Sequence, residues 1–275
     1  QRHHVTVVDN LSSGSRKNVH PRARLAVVDI RSPRFRPLVK KIKPDYIFHL
    51  AAQMNVRASI DDPVHDAEVN IIGSLNVIQA AITSKVKRLV FSSTGGAIYG
   101  EQTTVPISED APLWPETPYG VAKLSVEHYL RFFQQVGGLS SICLRYANIY
   151  GPRQNPRGEA GVVAIFSERL KKGEPLLIFG NGKQTRDYIF VDDVVRANLA
   201  AMSLKYTEPI NVGTGKETSV NVLVSQMITL TGSQAKVIHR PAISGELLRN
   251  AIRPTRARQV LGWKLQVSLA QGLKI

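Results

Sequence analysis

Leu89-Val90-Phe91-Ser92-Ser93-Thr94-Gly95-Gly96 passes within a few residues from a β-favouring apolar run to hydroxyls and then to glycines. A run this short and apolar reads as a buried strand, and the small residues after it let a ligand lie against the backbone. Helical patterns flank it, at 64 to 84 before and 119 to 136 after. The first carries Val69, Ile72, Leu75, Ile78 and Ile82 at helical spacing, and Asp62-Pro63 marks its start. Further out lie the runs Val5 to Val8, Leu25 to Val28, Tyr46 to Leu50 and Ile142 to Tyr146, with another helical pattern at 34 to 43. Strands alternating with longer helices predict an α/β fold, a Rossmann-like doubly wound parallel sheet.

After Gly151 the pattern loosens into a polar loop at 152 to 158. Helices are expected near 160 to 172, 192 to 203, 220 to 231 and 255 to 261, with strands at Leu176 to Phe179 and Pro209 to Val212. This predicts a smaller α/β lobe at 153 to 275 beside a main domain at 1 to 152, with 184 to 203 crossing back to the sheet. No internal repeat or low-complexity segment is present.

The 275 residues, 43% hydrophobic, can bury one large core or two unequal ones. One cysteine, Cys143, excludes an internal disulfide, and its apolar neighbours predict a buried thiol in a reducing cytoplasm. No apolar stretch approaches the roughly 20 residues of a membrane span, and the first residues lack a secretory apolar segment. The formal charge of +15 is concentrated early, where residues 1 to 43 hold 11 Lys or Arg against Asp9 and Asp29. That block lacks interleaved aromatics beyond Phe35, so it reads as solvated basic surface rather than a nucleic-acid groove.

Chemistry gathers at strand ends, where doubly wound sheets bind ligands. Tyr119 and Lys123 sit four apart after Thr117-Pro118, which suits a helix start and puts both on one face. An ammonium beside a phenol favours the phenolate, and a phenol that works as a base near neutral pH needs about 4 kcal/mol of such help. The same spacing also describes an exposed helix pair, so context decides. Asp9, closing the first run, stands where an acid can accept from an adenosine ribose or simply form a turn.

Taken together these segments resemble the extended short-chain dehydrogenase/reductase family, and most of all its NAD-dependent nucleotide-sugar epimerases and dehydratases of the UDP-glucose 4-epimerase type. The resemblance runs through Val7-Val8-Asp9-Asn10-Leu11-Ser12-Ser13-Gly14, His49-Leu50-Ala51-Ala52-Gln53, Val69-Asn70, Ser92-Ser93-Thr94 and Tyr119 to Lys123. It continues through Leu144 to Arg153, Gly180 to Asp193 and Leu261-Gly262-Trp263.

The resemblance implies that Tyr119 is the base at a sugar 4-hydroxyl, that Lys123 supports it, and that Thr94, with Ser93 as fallback, bonds the same hydroxyl. It implies an NAD site lined by Asp9, Asn10, Leu11, Ser12, Gly14, Asp29 and Ile30 at one end. Leu50, Ala51, Ala52, Asn70, Ser92 and Tyr146 join Tyr119 and Lys123 at the other. A UDP-sugar would lie against Ser93, Thr94, Tyr119, Asn148, Val163, Arg186, Tyr188 and Arg249. A homodimer is implied; a metal, a nucleic acid or a membrane partner is not.

Departures from the family's pattern qualify this. The family's Gly-x-x-Gly-x-x-Gly fingerprint is absent, because the sequence opens within what would be the second strand. The sheet is therefore expected to lack its usual central strand, and this chain to hold NAD weakly or to be an inactive fragment. Ile243 stands where relatives carry a diphosphate-gripping arginine, and Arg253 where they carry an aspartate. Gly95-Gly96 replaces the Asp-Glu that a 4,6-dehydratase needs to remove water.

Overall fold

A computed structural model of the chain describes residues 3–156, 161–243 and 245–275. The tail of the expected 152 to 158 loop, the first residue of the expected 160 to 172 helix, and Ser244 lie outside the described residues. Strands β1 (Thr6–Asp9) and β2 (Arg24–Val27) are followed by α1 (Phe35–Ile42), β3 (Tyr46–His49) and α2 (Val56–Asp61). One helical path then runs through α3 (Pro63–Ala67), a π turn at Glu68–Ile72 and α4 (Gly73–Thr83) into β4 (Arg88–Thr94). Next come α5 (Pro118–Gly137), β5 (Ser141–Tyr146), β6 (Asn148–Tyr150), α6 (Val162–Lys172), β7 (Leu176–Phe179), β8 (Thr185–Arg186) and β9 (Tyr188–Phe190). The rest is α7 (Val191–Ala201), β10 (Ile210–Val212), β11 (Thr218–Ser219), α8 (Val220–Thr231), β12 (Val237–Arg240), α9 (Thr255–Leu261) and α10 (Leu269–Gly272).

The doubly wound sheet comes in two parallel pieces. One is four-stranded in the order β10-β5-β4-β3, and the other is β1 paired with β2, Thr6 opposite Arg24. Among the described residues β1 pairs only with β2 and β3 only with β4, so the two pieces share no ladder. Two cores sandwich the four-stranded piece. Val90, Ile142, Leu144 and Val212 pack against Val194, Ala197 and Ala201 of α7 on one face. Leu89, Phe91 and Cys143 pack with α1, α4 and α5 on the other, so the cysteine is a core residue as expected. A third cluster joins Leu176 and Ile178 of β7, Tyr188 and Phe190 of β9, and residues of α6 and α8.

Local chemistry starts the helices where the sequence signals it. Thr117 caps α5 by accepting from the Gly120 N–H, Pro118 opens its first turn, and Gly138 ends it in the left-handed region at φ 63°. Asp62 likewise accepts from the His65 N–H ahead of Pro63. The apolar stripe read along 64 to 84 is buried in part: Ile78 is fully buried in the second core and Ile82 packs against it, while its N-terminal half turns outward. Ile72 is 57% exposed, whereas Asp66 and Asn70 are buried. A π turn at Glu68–Ile72, which contains Asn70, interrupts the α-helical path at this point.

Candidate active site

The carboxyl end of β4 meets the first turns of α5. Lys123 is 3% exposed; its Nζ donates to the Ser92 carbonyl at 2.8 Å. The ammonium lies 4.8 Å from the Phe91 ring centroid and 5.8 Å from that of Tyr119, so the helical pair does stand together. Burial pushes the lysine down to about 8, with Asp66 and Glu127 pulling the other way. Tyr119 is half-buried, and its backbone N–H donates to Ser59 Oγ of α2 at 3.2 Å.

Strand alternation sorts the hydroxyls that follow. Ser93 is buried and its hydroxyl donates to Glu127, so it does not share a side with Thr94. Thr94 is half-buried, and its Oγ1 accepts from the Gly96 N–H at 3.2 Å. A Cβ built on Gly96 would stand 3.7 Å from Thr94 Oγ1 and 4.0 Å from Asn148 Oδ1, which brings Asn148 to the same place. Ser92 and the buried Tyr146 close the wall behind, the Tyr146 hydroxyl donating to Asn198 at 2.9 Å. Burial moves that phenol upward.

Behind Ser93 lies a charged network that the sequence reading missed. Arg145 donates to Glu127 through Nε at 3.0 Å and Nη2 at 2.6 Å, and through Nη1 to the Tyr99 hydroxyl at 2.9 Å. The Tyr99 hydroxyl in turn donates to Asn211 Oδ1 at 2.7 Å, and burial pushes its phenol up to about 12. Glu127 falls one helical turn beyond Lys123, so the spacing that paired Tyr119 with Lys123 could have found it.

The expected cofactor wall is assembled from strand ends. Asp9 Oδ1 accepts from the Leu11 N–H at 2.6 Å, and a Cβ on Gly14 would stand 2.9 Å from Asp9 Oδ2. The Asn10 amide donates to Asp29 Oδ2 and accepts from Ser12. The Arg31 guanidinium holds the Asp29 carboxyl well below the usual carboxylate range. Ile30 is buried under Gly73. A half-buried carboxylate with a glycine drawn against it fits a ribose diol, so these residues suit a dinucleotide.

Past β3, Leu50 and Ala51 are exposed and Ala52 half-buried. Asn70 accepts from the Gln53 N–H at 3.0 Å and donates to the Gln53 carbonyl at 2.7 Å and to Asp66 Oδ1 at 2.9 Å. His49, bonded to Ser74 Oγ at 2.8 Å, is pushed down to about 3 by burial and then by Lys123.

From the later chain, buried Asp187 ties segments together. It accepts from the Thr214 N–H and hydroxyl, the Gly215 N–H and the Ile252 N–H, while its carbonyl accepts from the Asn148 N–H. Tyr188 is 5% exposed, and its hydroxyl has no partner among the described residues. Arg186 binds Glu246 at 3.1 Å and the carbonyls of Thr185 and Leu247. Val163 belongs to the third core, and Arg249 forks onto Glu217 at 2.6 and 2.9 Å. Among the described residues no cluster of three metal-binding side chains forms, and no helix is long and apolar enough to cross a membrane.

This geometry agrees with what the chain is similar to. The model of the NAD dependent epimerase/dehydratase family matches residues 1–213. A UDP-glucose 4-epimerase from Mycolicibacterium smegmatis is 42% identical over 277 residues, covering 98% of this chain and 88% of the relative. The UDP-glucose 4-epimerase of Thermotoga maritima, solved with UDP-glucose, superposes with a TM-score of 0.95 at 46% identity, covering 98% of this chain and 88% of that one. The Thermus thermophilus UDP-glucose 4-epimerase, solved in complex with NAD, gives 0.93 at 38% identity with the same coverages. With two ladders of a doubly wound sheet, a lysine buried beneath a tyrosine, and a family match over most of its length, the chain belongs to the NAD-dependent epimerase/dehydratase family.

Proposed function

We propose that the chain interconverts UDP-glucose and UDP-galactose by epimerisation at carbon 4, through a transient 4-keto sugar. The observation that carries this reading is Lys123, sealed under the Tyr119 ring with Thr94 and Asn148 at the same strand end. NAD, when bound, supplies the reversible hydride acceptor that the chain itself lacks, and the residues to hold it are Asp9, Asn10, Leu11, Ser12, Gly14, Asp29, Ile30 and Asn70. Tyr119 takes the proton from the sugar 4-hydroxyl and later returns it. The Lys123 ammonium stabilises the phenolate that accepts this proton, and the Thr94 hydroxyl aligns the reacting oxygen. Arg186, Tyr188 and Asn148 face the diphosphate and sugar; Arg186 exchanges Glu246 for phosphate oxygens on binding.

Residues 1 to 152 form the cofactor side and 153 to 275 mainly the sugar side, with α7 returning to the sheet. The reaction suits a cytoplasmic setting, where Cys143 stays reduced. Two copies pair through the outer face of α5, where Tyr129, Phe132 and Val136 are exposed beside a groove lined by Ser125, His128 and Phe133.

A 4,6-dehydratase would need an acid and a base just after Thr94. A Cβ at Gly95 would stand 2.6 Å from Ile252 Cδ1 and 3.3 Å from the Tyr146 carbonyl, so an acid there would have to displace the buried Ile252 side chain, and this chain carries glycine at both positions. The test is incubation of the protein with NAD and UDP-galactose, followed by proton NMR. UDP-glucose should accumulate, and Tyr119→Phe should slow its formation at least 100-fold. No UDP-glucose from the wild-type protein would overturn the reading.

A further inference from the structure

Asp66 is 1% exposed, yet only half of its carboxylate is used. Oδ1 accepts from Gln53 Nε2 at 2.8 Å and Asn70 Nδ2 at 2.9 Å. Oδ2, equally buried, meets no donor among the described residues. A buried carboxylate oxygen without a donor loses its hydration and gains nothing in return, unless a positive charge stands close enough to offset the loss. Lys123 shows the complementary deficit. Its ammonium, also buried, touches one backbone carbonyl and two ring faces, and among the described residues it forms no direct ion pair.

The helix that carries Asp66, α3, packs on α5, which carries Lys123. Each group's field draws the other towards its charged form, against burial that pushes the carboxyl up and the amine down. Other charges around the pair are accounted for. Glu127, on α5, has both oxygens committed to Arg145 of β5, and one also to Ser93. His49 on β3 is held neutral, and burial pushes the Cys143 thiol of β5 upward. Tyr119 is the phenol the lysine serves. His65 of α3, Glu68 of the π turn, and Arg57 and Asp61 of α2 are on the exposed sides of their elements.

We propose that Asp66 is a positioning residue of the proton-transfer site, its buried carboxylate serving as the counter-charge that keeps the Lys123 side chain an ammonium. Through Oδ1 the same carboxylate fixes Gln53 and Asn70, so one side chain sets both the charge of the lysine and the wall beside it. The inference rests on the epimerase reading only for the use made of that ammonium. The charge coupling itself is a property of the folded chain.

The test is NMR titration of protein labelled with 13C-lysine and 13C-aspartate, the Lys123 and Asp66 signals being assigned by substitution. The wild-type Lys123 midpoint is expected near pH 8. In Asp66→Asn it should fall by about one pH unit, and in Asp66→Glu it should stay near the wild-type value. Reciprocally, Lys123→Met should raise the Asp66 midpoint, because coupling between two sites acts equally on both. Unchanged midpoints in both arms overturn the proposal; if Asp66→Asn does not fold, the Lys123→Met arm decides alone. A purely structural Asp66 would alter unfolding and leave both midpoints in place. No turnover is read, so failure of the coupling leaves the epimerase reading standing, and a failed epimerase assay leaves the coupling intact.

Discussion

His49 shows how far a single residue can set the conditions under which the fold survives. In the unfolded chain its imidazole titrates at 6.5, whereas in the fold burial holds it neutral down to about 3. Between those values the unfolded state binds a proton that the folded state refuses, so stability falls as pH drops from 6.5 towards 3. The loss amounts to roughly 5 kcal/mol at most for this one group. Urea titrations across that range should show a steep acid limb that His49→Gln flattens; an equally steep limb in the variant would assign the loss to other groups. At this scale the sequence was legible where chemistry follows spacing. Tyr119 and Lys123 declared themselves by a helical interval, and Asp9 by its place after an apolar run. Asp66 and Gln53 did not, because their importance comes from burial that neither residue type advertises. The ion pairs that hold Arg186 on Glu246 and Arg249 on Glu217 are not legible in the sequence, because only the fold brings these partners near.

Gly120 shows that an element is held by its neighbours as much as by its own propensity. Alanine is the better helix former by about 1 kcal/mol, and taken alone α5 would gain from Gly120→Ala. A Cβ there would stand 2.4 Å from the Ala97 carbonyl, an atom of the backbone that cannot swing aside. The substitution should therefore lower stability by about 1 to 3 kcal/mol, read as a reduced urea midpoint with an unchanged slope. Long elements such as α5 and α8 could be read to within a residue or two because several apolar turns repeat the same message. Short strands such as β8 and β11, each of two residues, carry no period. β12 escaped because its pattern is largely exposed, and it is a strand only through pairing with β7. The π turn was invisible for a different reason: it interrupts the α-helical path without altering the composition of the helix.

At the level of the whole molecule, the fold class followed from the alternation of strands and helices. The division of the core into three clusters did not, since it depends on α7 packing against strands 50 to 100 residues earlier in the chain. The proposed pairing of two copies belongs to this scale, on the exposed stripe Tyr129, Phe132 and Val136. Light scattering should report twice the chain mass of 30.3 kDa, and Phe132→Glu should return it to one chain; a wild-type monomer at micromolar concentration would sink the pairing. Asp187 ties together three separate segments of the chain. Its backbone and side chain hold β6, the turn after β10 and the approach to α9, while β10 itself is laddered to β5. The covalent link between α7 and β10 is thus nearly redundant. Were the chain opened at exposed Lys205, the two pieces would still share a sheet and a buried carboxylate, and the protein would behave as a noncovalent heterodimer of its own halves.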